Sequence, residues 1–275
     1  LNSWSLAVSY PKFLVDEVVG QAATQLFKDA NEMLDELERS NIISNQSVIG
    51  FWPASQDQNN QVIVFKDERK KDLLATLNFP RQQRFQGEGN PNLSLSDFIA
   101  PEEKKIKDYI GAFAVTSGLG VDEACTNFEK DNDDYSSIML KAIADRLAES
   151  LAEYVHKKVR KEYWGYSKDE ELTNEQLIKE KYVGIRPAPG YPACPDHSEK
   201  IKLFSLLDAK DKANISLTEN FAMLPAASVS GWYFSHIESK YFGLGKITEE
   251  QIKNISKNRN EDINLIKKYY STNLE

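Results

Sequence analysis

Arg186, Tyr191, Cys194, Asp196 and His197 all fall within one stretch, YVGIRPAPGYPACPDH, residues 182–197. A guanidinium is a planar fork of donors suited to a carboxylate. Four of the chain's 10 prolines, Pro187, Pro189, Pro192 and Pro195, are interleaved with these side chains. Proline fixes φ, lacks an N–H and pushes its predecessor into extended conformations. The stretch can be neither helix nor central strand; it is expected as a stiff, polyproline-like loop, with Gly190 free to take angles closed to its neighbours. Side chains on such a rail give up little entropy on meeting a ligand. Residue types alone leave open the bland alternative, a proline-rich surface connection that binds nothing. Cys194 reads as a small packing residue and His197 as a structural histidine near a helix start.

A second group of candidates is acidic. Asp145, Glu149 and Glu153 recur every four residues, so they share one helix face. By residue type they form a solvated ridge, with Glu153 paired to Lys157. Glu180 closes a short predicted helix just ahead of the proline stretch, at the unfavourable end of its dipole. Binding a cation would justify that position, and so would plain exposure. The basic run Lys157, Lys158, Arg160, Lys161 reads as a solvated helix end, with a docking surface for an acidic partner as the alternative.

Composition narrows the ligand. The 275 residues are 41% hydrophobic and 28% charged, as in ordinary globular proteins, and a chain of this length buries a sizeable core. The net charge of −8 argues against a nucleic-acid partner held through phosphates. No run approaches the ~20 apolar residues of a membrane span, and no Gly-rich phosphate loop occurs. The two cysteines make no disulfide framework and the three histidines no zinc pattern. A cytoplasmic protein for a small, non-polyanionic ligand is expected.

The elements that must position these residues follow from periodicity. Asp16–Glu38 reads as a helix, Ser47–Pro53 and Gln61–Lys66 as a hairpin, and Phe79–Asn92 as exposed loop. Ser96–Ala100 is a short apolar piece packing a loop onto the body. Tyr109–Thr116 reads as a buried strand, broken at Ser117–Gly120. From about Val121 to Tyr163 the pattern predicts one long helix, its core stripe running through Tyr135, Ile138, Met139, Ala142, Ile143, Leu147, Leu151, Tyr154, Val155 and Val159. Thr173 with Gln176 forms a capping box, and Asp196 with Glu199 is expected to cap a helix to about Leu207, whose free N–H groups favour an anion. Phe221–Leu224, Val229–Phe234 and Tyr241–Lys246 read as an antiparallel meander, with Tyr233 facing away from Trp232 and Phe234. Thr248 with Gln251 starts a further helix, and Glu261–Tyr270 is a last amphipathic segment. Layering of this kind predicts an α+β fold, a twisted antiparallel sheet flanked by helices.

The run GIRPAPGYPACPDHSEK resembles the activation domain, the C-terminal S-adenosylmethionine-binding module, of cobalamin-dependent methionine synthases. YPKFLVDEVVG, DYIGAFAVTSGL, DDYSSIMLKAIADRLAESLAEYVHKKVRKEYWGY and SVSGWYFSHIESKYF agree in order and spacing, so the resemblance spans nearly the whole chain. It implies a single bent, C-shaped domain over residues 1–275, part of a longer enzyme. The family's preceding Asp-Trp-Thr-Pro segment, with its ligand-contacting acid, has no counterpart here, and part of Phe79–Asn92 is expected to be helical. The implied ligand is S-adenosylmethionine, with Arg186 on its carboxylate through an Arg-x-x-x-Gly-Tyr motif and Pro187, Ala188, Gly190 and Tyr191 along the adenosine. Tyr241 matches a family tyrosine at the ligand, while Phe242 stands where a second is familiar, keeping the ring and losing the hydroxyl. Glu149 gains a ligand role, since a carboxylate suits a sulfonium or ammonium; Glu180 is a further candidate, Asp145 stays open and Glu153 stays structural. His197 could also meet a docked corrin ring.

The resemblance also implies the reaction. The whole enzyme passes methyl from methyltetrahydrofolate to homocysteine through cobalamin. When the cobalt is oxidised, one electron from a flavodoxin-type donor and a methyl group from S-adenosylmethionine restore it. This module would hold the sulfonium methyl against cobalamin carried by a neighbouring domain of the same polypeptide, a task of proximity. It would contribute no nucleophile and turn nothing over alone. Two other readings remain: a docking module without its own ligand, and a free-standing methyltransferase acting on a small thiol, which would need a base the sequence does not reveal.

Overall fold

The computed structural model describes residues 11–274; residues 3–11, whose composition reads as an apolar-aromatic lead-in with Trp4 and Tyr10, lie outside them apart from Pro11. Five antiparallel strands form the central sheet in the order β3-β2-β1-β4-β7. These are β1 (Ser44–Gln56), β2 (Gln61–Phe65), β3 (Leu73–Asn78), β4 (Asp108–Leu119) and β7 (Ser228–Tyr233), while β5 (Ser216–Leu217) and β6 (Met223–Leu224) pair separately. The β1–β2 turn is set by Asp57, whose Oδ1 accepts from the Asn59 and Gln61 amides. β1 and β4 are in register from Ser47 against Val115 to Ala54 against Asp108.

β4 explains its own composition. Ile110, Ala112 and Ala114 point into one cluster with Leu203, Leu207 and Trp232, while Phe113 and Val115 point into another with Ala152, Val155 and Tyr233. A strand covered on both faces has no polar alternation to display. The first cluster is closed by α5 (Glu199–Leu207) and α6 (Ala209–Ala213), the second by α3 (Asp134–Lys158). Trp232 and Phe234 join the first and Tyr233 the second, as strand alternation requires.

α1 (Gly20–Ser40) packs with α2 (Val121–Lys130) and α3 at the far end of the sheet. α4 (Asn174–Ile178) carries the expected capping box of Thr173 and Gln176. α7 (Glu249–Arg259), begun by Thr248, and α8 (Ile263–Tyr269) close a small cluster of their own around Ile252, Ile266 and Tyr270. Among the described residues no helix is long and apolar enough to cross a membrane.

Several expectations are corrected. The long helix is two, α2 and α3, separated by Asp131–Asp133 with Asn132 in a left-handed conformation. Met139, Ile143, Val155 and Val159 are buried as expected, but the buried face of α3 also takes in Leu140, Ala144, Ala148 and Ala152, whereas Tyr135, Ile138, Ala142 and Tyr154 are exposed. Ser117–Gly120 does not break β4, which runs to Leu119. β3 was not anticipated. Phe79–Asn92 contains no helix, and Phe79 and Gln82 within it are buried. Tyr241–Lys246 is not a strand, so there is no meander: β6 pairs with β5 and β7 joins the central sheet beside β4.

Candidate functional site

The proline stretch runs extended along the open edge of β7. Ile185 exchanges both backbone hydrogen bonds with Phe234, each 3.0 Å, and the Pro187 carbonyl accepts from the Trp232 amide at 2.9 Å. Proline cannot donate to a ladder, which confines such a run to a sheet edge. Past Pro189 the chain turns back, with the Gly190 amide on the Cys194 carbonyl at 2.7 Å and the Cys194 amide on that of Tyr191 at 2.9 Å. Gly190 has φ +98°, and a Cβ there would lie 2.2 Å from the His197 ring. Only glycine allows the imidazole to lie against the backbone at this turn.

Beneath this rim lies a cleft of about 770 Å³, the size of a small-molecule site. Arg186, Pro187, Ala188 and Tyr191 line it from the rim, Tyr241 and Phe242 from the following loop, Glu149 from α3, and Glu180 from the end of the segment after α4. Gly190 is not in its wall; it borders a separate cavity on the far side of His197. Asp145 is exposed and lies outside the cleft lining. The cleft also takes in Phe113, His197, Lys200, Met223 and Ser228–Ser230, which sequence reasoning did not place there.

Arg186 is held from behind. Its Nη1 lies 2.8 Å from Glu153 Oε2, 2.8 Å from the Tyr182 hydroxyl and 3.1 Å from His156 Nδ1. Its backbone N–H donates to the Tyr241 hydroxyl at 3.0 Å. A guanidinium only donates, so His156 accepts at Nδ1 and carries its proton on Nε2, toward the Tyr166 hydroxyl at 3.4 Å. Burial, then the charges of Arg160 and Arg186, hold the His156 pKa well below the usual histidine range. Burial disfavours the Arg186 charge as well, but Tyr182 and Glu153 more than offset it and its pKa is raised.

Residues 1–260 match the family model of the vitamin B12 dependent methionine synthase activation domain. The chain belongs to this family. It is also similar to a solved structure, the MetH reactivation domain bound to AdoHcy, at 46% identity and a TM-score of 0.96, over 99% of this chain and 83% of that one.

Within this activation domain several roles differ from those expected. Glu153 does not pair with Lys157; it holds Arg186 and lies 3.7 Å from Arg160. The basic run is a solvated helix end only in part: Lys157 is exposed, but Arg160 is fully buried, bound through two nitrogens to Glu170 at 2.8 and 2.9 Å and set over the Tyr182 ring. Lys158 pairs with Glu162, and Lys161 donates to the Glu170 carbonyl. Asp196 does not cap α5, whose N-cap is Ser198 with no side-chain cap bond; it accepts from the Ser198 amide and is fully buried on Arg259. His197 faces the cleft, its Nδ1 3.0 Å from Lys200 Nζ. Its pKa is lowered by burial and by Lys200.

Proposed function

We propose that the cleft beneath the proline rim binds S-adenosylmethionine and presents its sulfonium methyl at the rim for transfer to cobalamin, the reactivation step of a methionine synthase. The observation that carries this is the donor set around one cleft: a guanidinium at one end, two carboxylates, and aromatic rings beside a backbone held extended. That set fits the ligand group by group. Arg186 suits the α-carboxylate, Glu149 and Glu180 suit the ammonium and sulfonium charges, and Tyr241, Phe242 and the backbone of Pro187–Tyr191 suit the adenosine. A relative of 46% identity bound to AdoHcy, the demethylated form of the same molecule, supports the reading.

When bound, the sulfonium supplies an electrophilic methyl and cobalamin the metal that accepts it. The chain's own part is to bind and orient, and no side chain here need act as nucleophile. The cobalamin-bearing domain is proposed to lie in the same polypeptide, and the electron donor to be of flavodoxin type. The isolated chain is expected to bind its ligand without turnover.

Calorimetry of S-adenosylmethionine against this chain and Arg186→Ala tests the reading. Truncating one partner of a buried charged hydrogen bond should weaken binding roughly 30-fold or more. Equal binding by both proteins would keep a ligand site and discard Arg186 from it. Binding by neither would favour a docking module without its own ligand.

A further inference from the structure

We propose that Glu153 is the positioning residue of the ligand site: it engages Nη1 of Arg186 and so leaves the Nε/Nη2 edge of the guanidinium for the ligand's α-carboxylate. The proposal rests on the reading that the cleft binds S-adenosylmethionine.

Nη1 has two hydrogens and three acceptors within reach, Glu153 Oε2, Tyr182 Oη and His156 Nδ1, at 2.8, 2.8 and 3.1 Å. Among the described residues Nε and Nη2 have no hydrogen-bond partner. Only 18% of the Arg186 side chain is exposed, yet the residue lines the cleft. A guanidinium bonds a carboxylate through a pair of parallel N–H groups, and the pair without partners is Nε–H with one Nη2–H. A ligand carboxylate approaching Nη1 would meet the Glu153 carboxylate instead, so the acid excludes the wrong edge as well as fixing the right one.

Glu153 is itself held in place. It stands on α3 one turn after Glu149, which lines the cleft, and three residues before His156, another Nη1 acceptor. Arg160, 3.7 Å from Glu153 Oε1, is locked by its two bonds to Glu170. The orientation of Arg186 is thereby referred to a helix rather than to the loop that carries it.

The test uses two probes, S-adenosylmethionine and its decarboxylated analogue, which differ only in the carboxylate. Glu153→Ala should weaken S-adenosylmethionine roughly tenfold while leaving the analogue within about twofold. Glu153→Gln keeps an acceptor oxygen and should retain most of the affinity. Glu153→Asp, which keeps the charge but draws the carboxylate back from Nη1, should cost roughly threefold, again only for the carboxylated probe. Equal losses for both probes in these variants would mean a role in folding alone, and unchanged binding would mean no role; each overturns the proposal. Tighter binding of S-adenosylmethionine by Glu153→Ala would show Glu153 competing with the ligand for Arg186, and would overturn it too. Should Glu153→Ala not fold, the Glu153→Asp selectivity decides. Wild-type protein binding both probes equally would overturn the Arg186–carboxylate contact and this proposal with it. Wild-type protein binding neither would overturn the reading of the cleft itself.

Discussion

At the scale of single residues, the site depends on groups whose chemistry is altered by burial. His156 is fully buried between Tyr182 and Tyr233, with Arg160 and Arg186 near enough to oppose its charging. Its folded pKa is depressed, so below the ordinary histidine value, near 6.5, the unfolded chain binds the proton that the native state refuses. The stability this group contributes is complete above about pH 6.5 and is lost as pH falls toward the folded pKa, with a slope of up to about 1.4 kcal/mol per pH unit. Urea unfolding followed from pH 8 to pH 5 should show that slope for wild type and lose it in His156→Gln. An unchanged slope would place the proton elsewhere. Gly190 makes a different demand. Gly190→Ala puts a Cβ at φ +98° against the His197 ring, a strain of about 1–2 kcal/mol before the ring moves, and should lower the melting temperature by roughly 2–8 °C.

Among elements, α3 supports both the core and the site, and it shows where sequence reading succeeded and where it failed. The buried strand, the hairpin, the Thr173 and Thr248 caps and the extended proline run were legible because each is a local rule: apolar continuity, turn chemistry, a capping oxygen, a missing N–H. The Asp196 cap was not, because that carboxylate is claimed by Arg259, 63 residues on. The buried face of α3 was legible only in part: Met139, Ile143 and Val155 were read correctly, the row of small residues beside them was not. Leu140, Ala144, Ala148 and Ala152 are mostly too small to outweigh Ile138 and Tyr154 in a hydrophobic pattern, yet the helix needs small residues to approach the sheet closely. Ala152→Leu should overpack this contact and cost about 1–3 kcal/mol. Ile138→Ala, on a side chain that is 68% exposed, should stay within about 0.5 kcal/mol. Thermal unfolding distinguishes the two, and comparable losses would mean that the outer face of α3 packs against something after all. The same close approach hid the site's support. Glu153 sits beside Ala152, and its pairing with Arg186 and Arg160 is long-range or off the i+4 pattern, so sequence spacing pointed to Lys157. His156 looked isolated for the same reason, its partners lying 10 and 30 residues on.

Across the whole molecule, the rim is pinned at two ends by unrelated means. At its start the sheet edge holds Ile185 and Pro187. At its far end the fastening comes from the C-terminal helices, through Arg259 at the close of α7. Arg259 Nη1 lies 2.5 Å from Asp196 Oδ2, and Nη2 lies 2.9 Å from Ser198 Oγ and 3.0 Å from Glu261, with the Tyr269 ring beneath. Glu199, also buried, is 3.6 Å from Arg259 and is bonded by Asn78 and Lys202. Burial opposes the Arg259 charge, but Asp196, Glu199 and Glu261 outweigh it and raise the pKa. Arg259→Met keeps the length and apolar stem while leaving Asp196 and Glu199 buried without this cation. Breaking a buried pair from one side costs about 3–5 kcal/mol, most of it the penalty of the stranded partner. Adding Asp196→Asn removes one stranded charge and should recover part of that loss. If the arginine is a clamp on the rim, hydrogen exchange in Arg259→Met should accelerate for amides of residues 190–198 and of α7 and α8, while β1 and β4 keep their protection. Uniform acceleration across the sheet would reduce Arg259 to a contributor to global stability, and the far end of the rim would then have to be held by its own turn at Gly190 alone.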